Sequence, residues 1–403
     1  MTGMAAPVIP RADANLTEAA RAFRDKTAVA GVGLTLGKFP ERTALSLAIE
    51  AFKLALDDSG LKRDDIDGLI TLSFGSDYDR FLEATGLNVR YAHQGWTHGR
   101  FISPTLQFAA MAVGMGMAKA VAIVNGKRGK AFGQPTDIEM WRQGLGPHGE
   151  SPAYGALRPA FGAAISAQRY FHMYGGSNDD LGPICVAFRK HARMNPIAVR
   201  RDPMTLDDYR RSPWIVAPLR LLDCCQINDG GSCIIVTSAE RARDCRKPPA
   251  LISGMQGVHA GPDYHNLALP GLGVAQQKVY NYTPSADDLY SYRMAGITHK
   301  DVDALITYDA FSPLVLFALE RFGFCGPGEA REFVKNGRIE LGGELPVNTS
   351  GGLLSEGHLS GWNLLIEAVR QTRGECRERQ VKNAEVVQYG CFLGESLIFR
   401  RAS

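Results

Sequence analysis

Three side chains in the second half of the chain could move protons on a substrate: Tyr308, His358 and Cys391. Tyr308 follows the short β-like run ALIT, whereas His358 lies in EGHLSG and Cys391 in QYGCFLGES. A phenol can donate a hydrogen bond to an oxyanion, and its phenolate can take the proton of a hydroxyl group. A neutral imidazole can donate or accept a proton near pH 7. Groups of this kind are suited to general acid–base catalysis.

Metal and nucleotide chemistry are not indicated by the sequence. The nine histidines are scattered, without an H-x-x-x-H pair or a Cys-His cluster at the spacing of metal ligands. There is no Gly-rich loop of the GxxxxGK type that would hold phosphates. The eight cysteines include no C-x-x-C pair, and no export signal precedes them, so we expect reduced thiols and a cytoplasmic location.

Composition describes an ordinary globular protein. The 403 residues are 45% hydrophobic and 22% charged, and this length favours two domains or two closely packed halves. A net charge of +3 is too small to predict nucleic-acid binding. No apolar run reaches the roughly eighteen residues of a membrane span, so membrane insertion is not expected. Residues 1–25 do not resemble a secretory signal and are interpreted as an N-terminal extension.

An internal duplication indicates which structural elements precede Tyr308. Residues 59–71 read SGLKRDDIDGLIT and residues 295–307 read AGITHKDVDALIT, with matching glycine, aspartates and a final LIT at a constant offset. Each copy follows a helical stretch and ends in a β-like run. Gly60 and Gly296 stand where a helix C-terminus favours a left-handed residue. The sequence therefore predicts one helix-turn-strand unit that occurs twice.

Further elements extend this α/β pattern. Residues 28–33 and 119–126 are predicted strands, and residues 104–118 are a predicted buried apolar helix. A second helix is predicted over 360–374, and Asp229, Gly230 and Gly231 are predicted to turn tightly before the strand SCIIVTS. The predicted division of the chain is a first half at 26–126 and 221–245, a cap over the active-site entrance at 127–220, and a second half at 246–403.

Four segments resemble the sterol-carrier-protein-type (lipid-transfer-protein) thiolases of the thiolase superfamily. They are AVAGVG near the start, NPIAVRRDPMTLDDYRRSPWIVAPLRLLDCCQINDGGSCIIVTSAE, YDAF at 308–311 and NTSGGLLSEGHLSGWNLLIEAVRQTRG at 348–374. The resemblance runs from about Lys26 to the end of the chain. It implies a duplicated thiolase fold with five layers (α-β-α-β-α), a homodimer, and an acyl-CoA substrate. Coenzyme A would then be part of the substrate, with no bound cofactor.

Two departures from the family bear on the reaction. Thiolases carry a nucleophilic cysteine at the start of the first-half helix, but here that region reads WTHGRFISPTLQFAAMAV. Ser103 is the nearest hydroxyl, and as a predicted helix N-cap before Pro104 it has a structural function. YDAF replaces the HDxF of sterol-carrier-type thiolases, which places Tyr308 at the thioester. The branch that cleaves steroid-type side chains resembles this sequence in both respects.

That branch implies a role for each candidate. Tyr308 would remove the proton of a β-hydroxyl, after which the Cα–Cβ bond breaks and a thioester enolate remains. His358, in the place of the family's GHPxG motif, would donate to the enolate or protonate it. Cys391 lies in the final loop, where thiolases carry an acid/base cysteine or its replacement. Asp309 is not expected to contact substrate, because successive strand residues point to opposite faces.

Several residues are predicted to shape the substrate-binding loop or to contact the substrate. Asn348 would order the loop through its side chain, and the glycines would allow close approach of the backbone. The predicted substrate-binding residues are Asn348, Gly351, Gly352, Gly357 and Ser103.

Other functions and assemblies stay open at this point. The first alternative is a thiolase or acyltransferase with an unorthodox nucleophile, and the second is a non-catalytic acyl-CoA-binding scaffold subunit. The family resemblance also implies a possible small partner with a zinc ribbon and an OB fold. The acyl group could be a steroid-like side chain, an aromatic acid or a short branched chain.

Overall fold

The computed structural model describes residues 16–72, 78–95, 101–129, 159–258 and 289–402. The α-helices of these residues are α1 (Glu18–Phe23), α2 (Ala44–Ser59), α3 (Tyr78–Thr85), α4 (Ile102–Gly114), α5 (Pro159–Tyr174), α6 (Gly182–Arg193), α7 (Leu206–Arg211), α8 (Ala239–Arg243), α9 (Tyr290–Ala295), α10 (Pro313–Arg321), α11 (Ala330–Phe333), α12 (Gly352–Ser355) and α13 (Trp362–Arg373). The strands are β1 (Thr27–Gly37), β2 (Gly68–Leu72), β3 (Tyr91–Gly95), β4 (Ala120–Lys127), β5 (Trp214–Val216), β6 (Leu219–Arg220), β7 (Asp229–Ser238), β8 (Ala250–Gln256), β9 (Ala304–Thr307), β10 (Val386–Gly390) and β11 (Ser396–Arg401).

The duplicated unit has the same local structure in both copies. Helix α2 ends at Gly60 with φ 75°, and helix α9 ends at Gly296 with φ 69°. A short 3₁₀ turn follows in each copy and leads into β2 or β9. Left-handed backbone of this kind strongly favours glycine, so the sequence repeat marks two helix ends. The predicted duplication is confirmed by this geometry.

Nine of the described strands form one mixed sheet in the order β3-β2-β4-β7-β1-β8-β11-β10-β9. The first half contributes five neighbouring strands and the second half four. They are joined where β1 and β8 pair at Ala28–Leu251 and Val29–Ala250. Strands β4 and β9 therefore belong to different halves.

Helices lie outside and between the two groups of strands. Helix α2 packs on β1, β4 and β7, and helix α9 packs on β8 and β11. Helices α4 and α13 both contact strands of the two halves, so they lie between them. Leu47, Ala51, Phe52 and Ala55 form the buried face of α2 at helical spacing. The two groups of strands thus count as two layers, with helices outside each group and α4 and α13 between them. The succession is α-β-α-β-α, which is the expected number of layers.

Two sequence predictions about these elements are wrong. Asp229, Gly230 and Gly231 are the first residues of β7 and do not form a turn before it. The glycines are needed for packing, because a Cβ on Gly231 would lie 2.1 Å from the carbonyl oxygen of Leu47 in α2. Helix α4 is buried on one side only, since Phe108 is 46% exposed.

The predicted cap falls partly on residues that the structure does not describe, as does the N-terminal extension. Residues 130–158 and 1–15 lie outside the described ranges, and helices α5 to α7 occupy much of 159–220. Strand β4 extends to Lys127, which is the first residue of the predicted cap. No helix within the described ranges is both long and apolar enough to cross a bilayer.

Candidate active site

Tyr308 and His358 are in contact, fifty residues apart in sequence. Tyr308 is the first residue after β9, and its phenolic oxygen lies 3.2 Å from Nε2 of His358. The two rings meet edge to face with their centroids 6.1 Å apart. Both side chains are buried, at 5% and 8% exposure. The two side chains predicted to carry the chemistry therefore meet in one buried contact.

The pair lies at the start of the first-half helix α4. Gly361, with φ 96°, separates Tyr308 from Ile102, the first residue of that helix. A Cβ on Gly361 would lie 2.4 Å from Cδ1 of Ile102 and 3.1 Å from Cδ2 of Tyr308. The phenol thus lies beside the helix terminus where the family resemblance places the nucleophilic cysteine of a thiolase.

Lys127 of the first half contacts the other side of the imidazole. Its Nζ lies 2.8 Å from Nδ1 of His358 and donates to the carbonyl oxygen of His358 at 3.1 Å. Burial lowers the pKa of Lys127 to about 8, and the nearby thiol of Cys225 would oppose this shift only when ionised. Sequence reasoning missed Lys127, although a lysine at the end of the apolar strand AVAIVNGK is a signal that could have found it.

The backbone of His358 is fixed by a residue between β6 and β7. The N–H of His358 donates to Oδ1 of Asn228 at 2.6 Å. The preceding Gly357 has φ 149°, and a Cβ there would lie 2.8 Å from Cδ2 of Leu36 and 3.1 Å from Oδ1 of Asn228. A side chain at position 357 would therefore displace the loop that carries the imidazole.

A buried carboxyl group supports the same loop from behind. Glu356 accepts hydrogen bonds from Ser350 Oγ at 2.7 Å, Asn363 Nδ2 at 2.8 Å and Asn195 Nδ2 at 3.2 Å. Burial raises the pKa of Glu356 to about 7, with the nearby charge of Glu367 acting in the same direction. These bonds tie the loop to helix α13 and to the turn that follows helix α6.

The side chain of Asn348 holds the last residue of β9 in place. Its Oδ1 accepts from the N–H of Thr307 at 2.7 Å, and its Nδ2 donates to the carbonyl oxygen of Thr307 at 2.9 Å. The backbone of Asn348 has φ 48°, a conformation in which asparagine is enriched. Asn348 thus positions the residue that precedes Tyr308, whereas its contact with a substrate stays a prediction.

The carboxyl group of Asp309, the neighbour of Tyr308, is bonded to helix α12. It accepts from the N–H groups of Leu353 at 2.8 Å and Leu354 at 3.3 Å, and burial raises its pKa to about 7. A Cβ on Gly352, which has φ 63°, would lie 2.1 Å from Oδ2 of Asp309. The glycine is required by protein packing, and its approach to a ligand stays a prediction.

The glycine at position 351 has a similar structural function. A Cβ on Gly351 would lie 2.5 Å from Cβ of Ala192 in α6. Contact of its backbone with a substrate also stays a prediction, as it does for Gly357.

Cys391 directly follows strand β10, the neighbour of the strand β9 that Tyr308 follows. Strands β9 and β10 are parallel with Thr307 opposite Gly390, so the next residues are Tyr308 and Cys391. Cys391 is buried, and its N–H donates to the carbonyl oxygen of Glu395 at 2.9 Å. Burial raises the pKa of Tyr389, and the charges of Glu395, Cys391 and Tyr308 add to this. These groups therefore share one buried neighbourhood.

Ser103 is bonded to the protein framework. Its Oγ lies 2.9 Å from the carbonyl oxygens of Gln256 and Ser396 and accepts from Nε2 of Gln107 at 3.1 Å. The predicted N-cap function is wrong, because α4 begins at Ile102 and its N-cap is Phe101. The serine lies inside the first helical turn.

Replacing Ser103 by alanine is expected to affect stability more than catalysis. The substitution removes the hydroxyl hydrogen bonds to the carbonyl groups of Gln256 and Ser396. We expect the free energy of unfolding to fall by about 1–2 kcal/mol and kcat/KM to change less than about tenfold. Denaturant unfolding and steady-state kinetics measure the two effects. A loss of about a thousandfold with unchanged stability would instead identify Ser103 as a nucleophile.

Comparison with known proteins agrees with this fold. The family description "Thiolase C-terminal domain-like" matches residues 284–393. A steroid side-chain-cleaving aldolase of Thermomonospora curvata is 39% identical over 374 residues, which cover 86% of this chain and 90% of the relative. A 17-hydroxy-3-oxo-4-pregnene-20-carboxyl-CoA lyase of Mycobacterium tuberculosis is 38% identical over 87% of this chain and 92% of the relative.

A solved structure, the Ltp2-ChsH2(DUF35) aldolase, superposes with a TM-score of 0.83 at 35% identity over 94% of this chain and 98% of that chain. The fold and the site thus define a protein of the thiolase superfamily. Within it the chain belongs to the sterol-carrier-protein-type family, in the branch of the steroid side-chain-cleaving aldolases. The predicted carbon–carbon lyase that acts on acyl-CoA thioesters by retro-aldol cleavage is confirmed.

Proposed function

We propose that this lyase cleaves the side chain of a steroid-type β-hydroxyacyl-CoA, with Tyr308 as the base. The observation that carries the proposal is the contact of Tyr308 with His358 beside the terminus of α4. The names of the two relatives indicate steroid substrates for those proteins. A steroid-like acyl group is therefore favoured here over an aromatic or a short branched one.

The reaction follows from the ionisation of the phenol. Tyr308 as phenolate takes the proton of the β-hydroxyl group, whose oxygen then forms the carbonyl of the departing ketone or aldehyde. The Cα–Cβ bond breaks, and its electron pair forms the enolate of the shortened thioester. The proton returns to Cα through Tyr308, which His358 orients. Cys391, at the adjacent strand end, is the second group that we propose for proton exchange with the enolate.

A basic segment gives the phosphates of coenzyme A a place to bind. Residues 189–201 read RKHARMNPIAVRR, and this segment lies beside the loop that carries His358. The N–H groups of Val199 and Arg200 donate to the carbonyl oxygens of Glu356 at 2.9 Å and Ser355 at 3.0 Å. Positive charge beside the entrance of the site would attract an anionic thioester.

The same proposal includes assembly with other chains. The solved neighbour is named as a complex with a DUF35 component. We propose a separate partner with a zinc ribbon and an OB fold, together with a homodimer, as the family resemblance implies. Exposed apolar side chains on and beside α4 could serve such contacts. They are Phe101, Phe108, Met111, Met115 and Met117.

A β-ketoacyl-CoA offered together with free CoA should not be consumed. A thiolase transfers an acyl group to the thiol of CoA, whereas a retro-aldol cleavage needs a β-hydroxyl and no free CoA. Loss of free thiol can be followed with a thiol reagent, and a matched β-hydroxyacyl-CoA is the positive control. Consumption of CoA at the rate of β-hydroxyacyl cleavage would favour the thiolase alternative.

The acyl group can be identified from products. A panel of steroid-type, aromatic and short branched β-hydroxyacyl-CoA esters is incubated with the protein, with and without a DUF35-type partner, and analysed by mass spectrometry. We expect a ketone or aldehyde and a shorter acyl-CoA from the steroid-type ester. Faster cleavage of the short branched ester would contradict the proposed substrate.

A further inference from the structure

We propose that Lys127 controls the ionisation of Tyr308 through His358 and is thereby a positioning residue for the base. The inference rests on the proposed function of Tyr308. It concerns a contact between the halves of the molecule, since Lys127 ends β4 and the other two residues belong to the second half. The three side chains form a chain of two contacts, at 2.8 Å and 3.2 Å.

The hydrogen-bonding capacity of an ammonium group fixes the direction of both contacts. Protonated lysine has three donors and no acceptor, so Nδ1 of His358 must accept from Lys127. A neutral imidazole then carries its hydrogen on Nε2. That hydrogen points to the phenolic oxygen of Tyr308, which becomes the acceptor. This is the arrangement that stabilises a phenolate.

Charge compensation favours the same state. Partial burial makes the cation of Lys127 costly, as its pKa of about 8 indicates, and a phenolate at Tyr308 offsets that cost. The side chain of Cys225 also faces Lys127, but burial raises the pKa of this thiol to about 11 and keeps it neutral. Next to Lys127 in sequence, Arg128 pairs with Asp229 at 3.1 Å.

The groups on the phenol side oppose a phenolate only weakly. Glu395 and Asp309, with Cys391, surround the neighbouring Tyr389. Burial raises the pKa of Glu395 well above its usual range, so this carboxyl group is largely neutral near pH 7. Burial also raises the pKa of Asp309 to about 7, so this group carries only part of a negative charge there. The ammonium of Lys127, which reaches Tyr308 through His358, is then the positive charge that favours the ionised phenol.

The lysine keeps its own proton during the reaction. Tyr308 takes one proton from the β-hydroxyl and returns one proton to Cα, so the cycle balances without a net transfer from Lys127. The ammonium group of Lys127 stays positively charged throughout. It keeps the imidazole of His358 in the form that donates a hydrogen bond to Tyr308.

Titration of the tyrosine tests this without a substrate. The ultraviolet absorbance of tyrosinate is followed with pH in the full chain, and the curve of Y308F is subtracted to isolate Tyr308. In K127M we expect Tyr308 to ionise about 1 pH unit higher than in the unsubstituted protein, because an opposite charge is lost. K127R should restore the lower value, since it keeps a cation. K247M, which removes a lysine paired with Glu375, is the control.

Activity gives a second readout. In K127M we expect kcat/KM to fall about tenfold at pH 7 and to approach that of the unsubstituted protein as pH rises, because the phenol then ionises unaided. Equal ionisation of Tyr308 in both proteins, or a loss that is the same at every pH, would overturn the inference. If Y308F kept full activity, Tyr308 would not be the base. The titration would still show whether Lys127 changes the pH at which Tyr308 ionises.

Discussion

Tyr308→Phe is expected to lower kcat for cleavage of a β-hydroxyacyl-CoA by about a thousandfold, with little change in KM. The substitution keeps the ring beside Gly361 and Ile102 and removes only the oxygen that lies 3.2 Å from His358. Binding of the acyl chain and of coenzyme A should persist, because the shape of the pocket is retained. The base is lost, so the Cα–Cβ bond has no route to break.

Single-turnover kinetics and binding of a non-cleavable acyl-CoA analogue measure the two effects separately. Tyr170→Phe is the matched control, because it removes another buried hydroxyl, which donates to Oε1 of Glu320 at 2.5 Å. This control should retain activity. Retention of more than about a tenth of kcat in Tyr308→Phe would rule out the phenol as the base.

His358→Ala is expected to lower kcat/KM by about a hundredfold at pH 7. The change removes the donor to Tyr308 and leaves the ammonium of Lys127 without its imidazole acceptor. The cavity left by the ring is of the right shape for free imidazole. Added imidazole should therefore restore part of the activity, in proportion to its concentration until the cavity is filled.

Steady-state kinetics with and without imidazole provide the measurement. The matched control is His172→Ala, which removes an exposed histidine of α5 and should change neither activity nor its response to imidazole. Full activity of His358→Ala, with no response to imidazole, would show that the histidine serves only the packing of its loop.

Features that depend on local structure could be predicted from the amino-acid sequence. The left-handed glycines at Gly60 and Gly296 end helices in both copies of the repeat, because few other residues adopt that backbone. Tyr308 follows directly on β9, as the apolar run ALIT predicted. Such features depend on neighbours a few residues apart, so spacing and residue type were enough to predict them.

Predictions from local sequence patterns were wrong at two places where contacts with distant residues determine the structure. The glycines at the start of β7 were predicted to turn, but they allow helix α2 to lie close to the sheet. Ser103 was predicted to cap α4 because Pro104 is typical of a first helical position. The helix begins at Ile102, and Ser103 instead bonds to the backbone of Gln256 and Ser396.

The groups that contact His358 from the first half could not be predicted from the sequence. Lys127 lies 231 residues from His358 in sequence, and Asn228 lies 130 residues from it, yet both contact that residue. No spacing rule connects such positions, because the pairing of β1 with β8 and the packing of α4 and α13 bring the halves together. The sequence shows which residue types are present. Which of these residues come into contact depends on the long-range packing of the two halves.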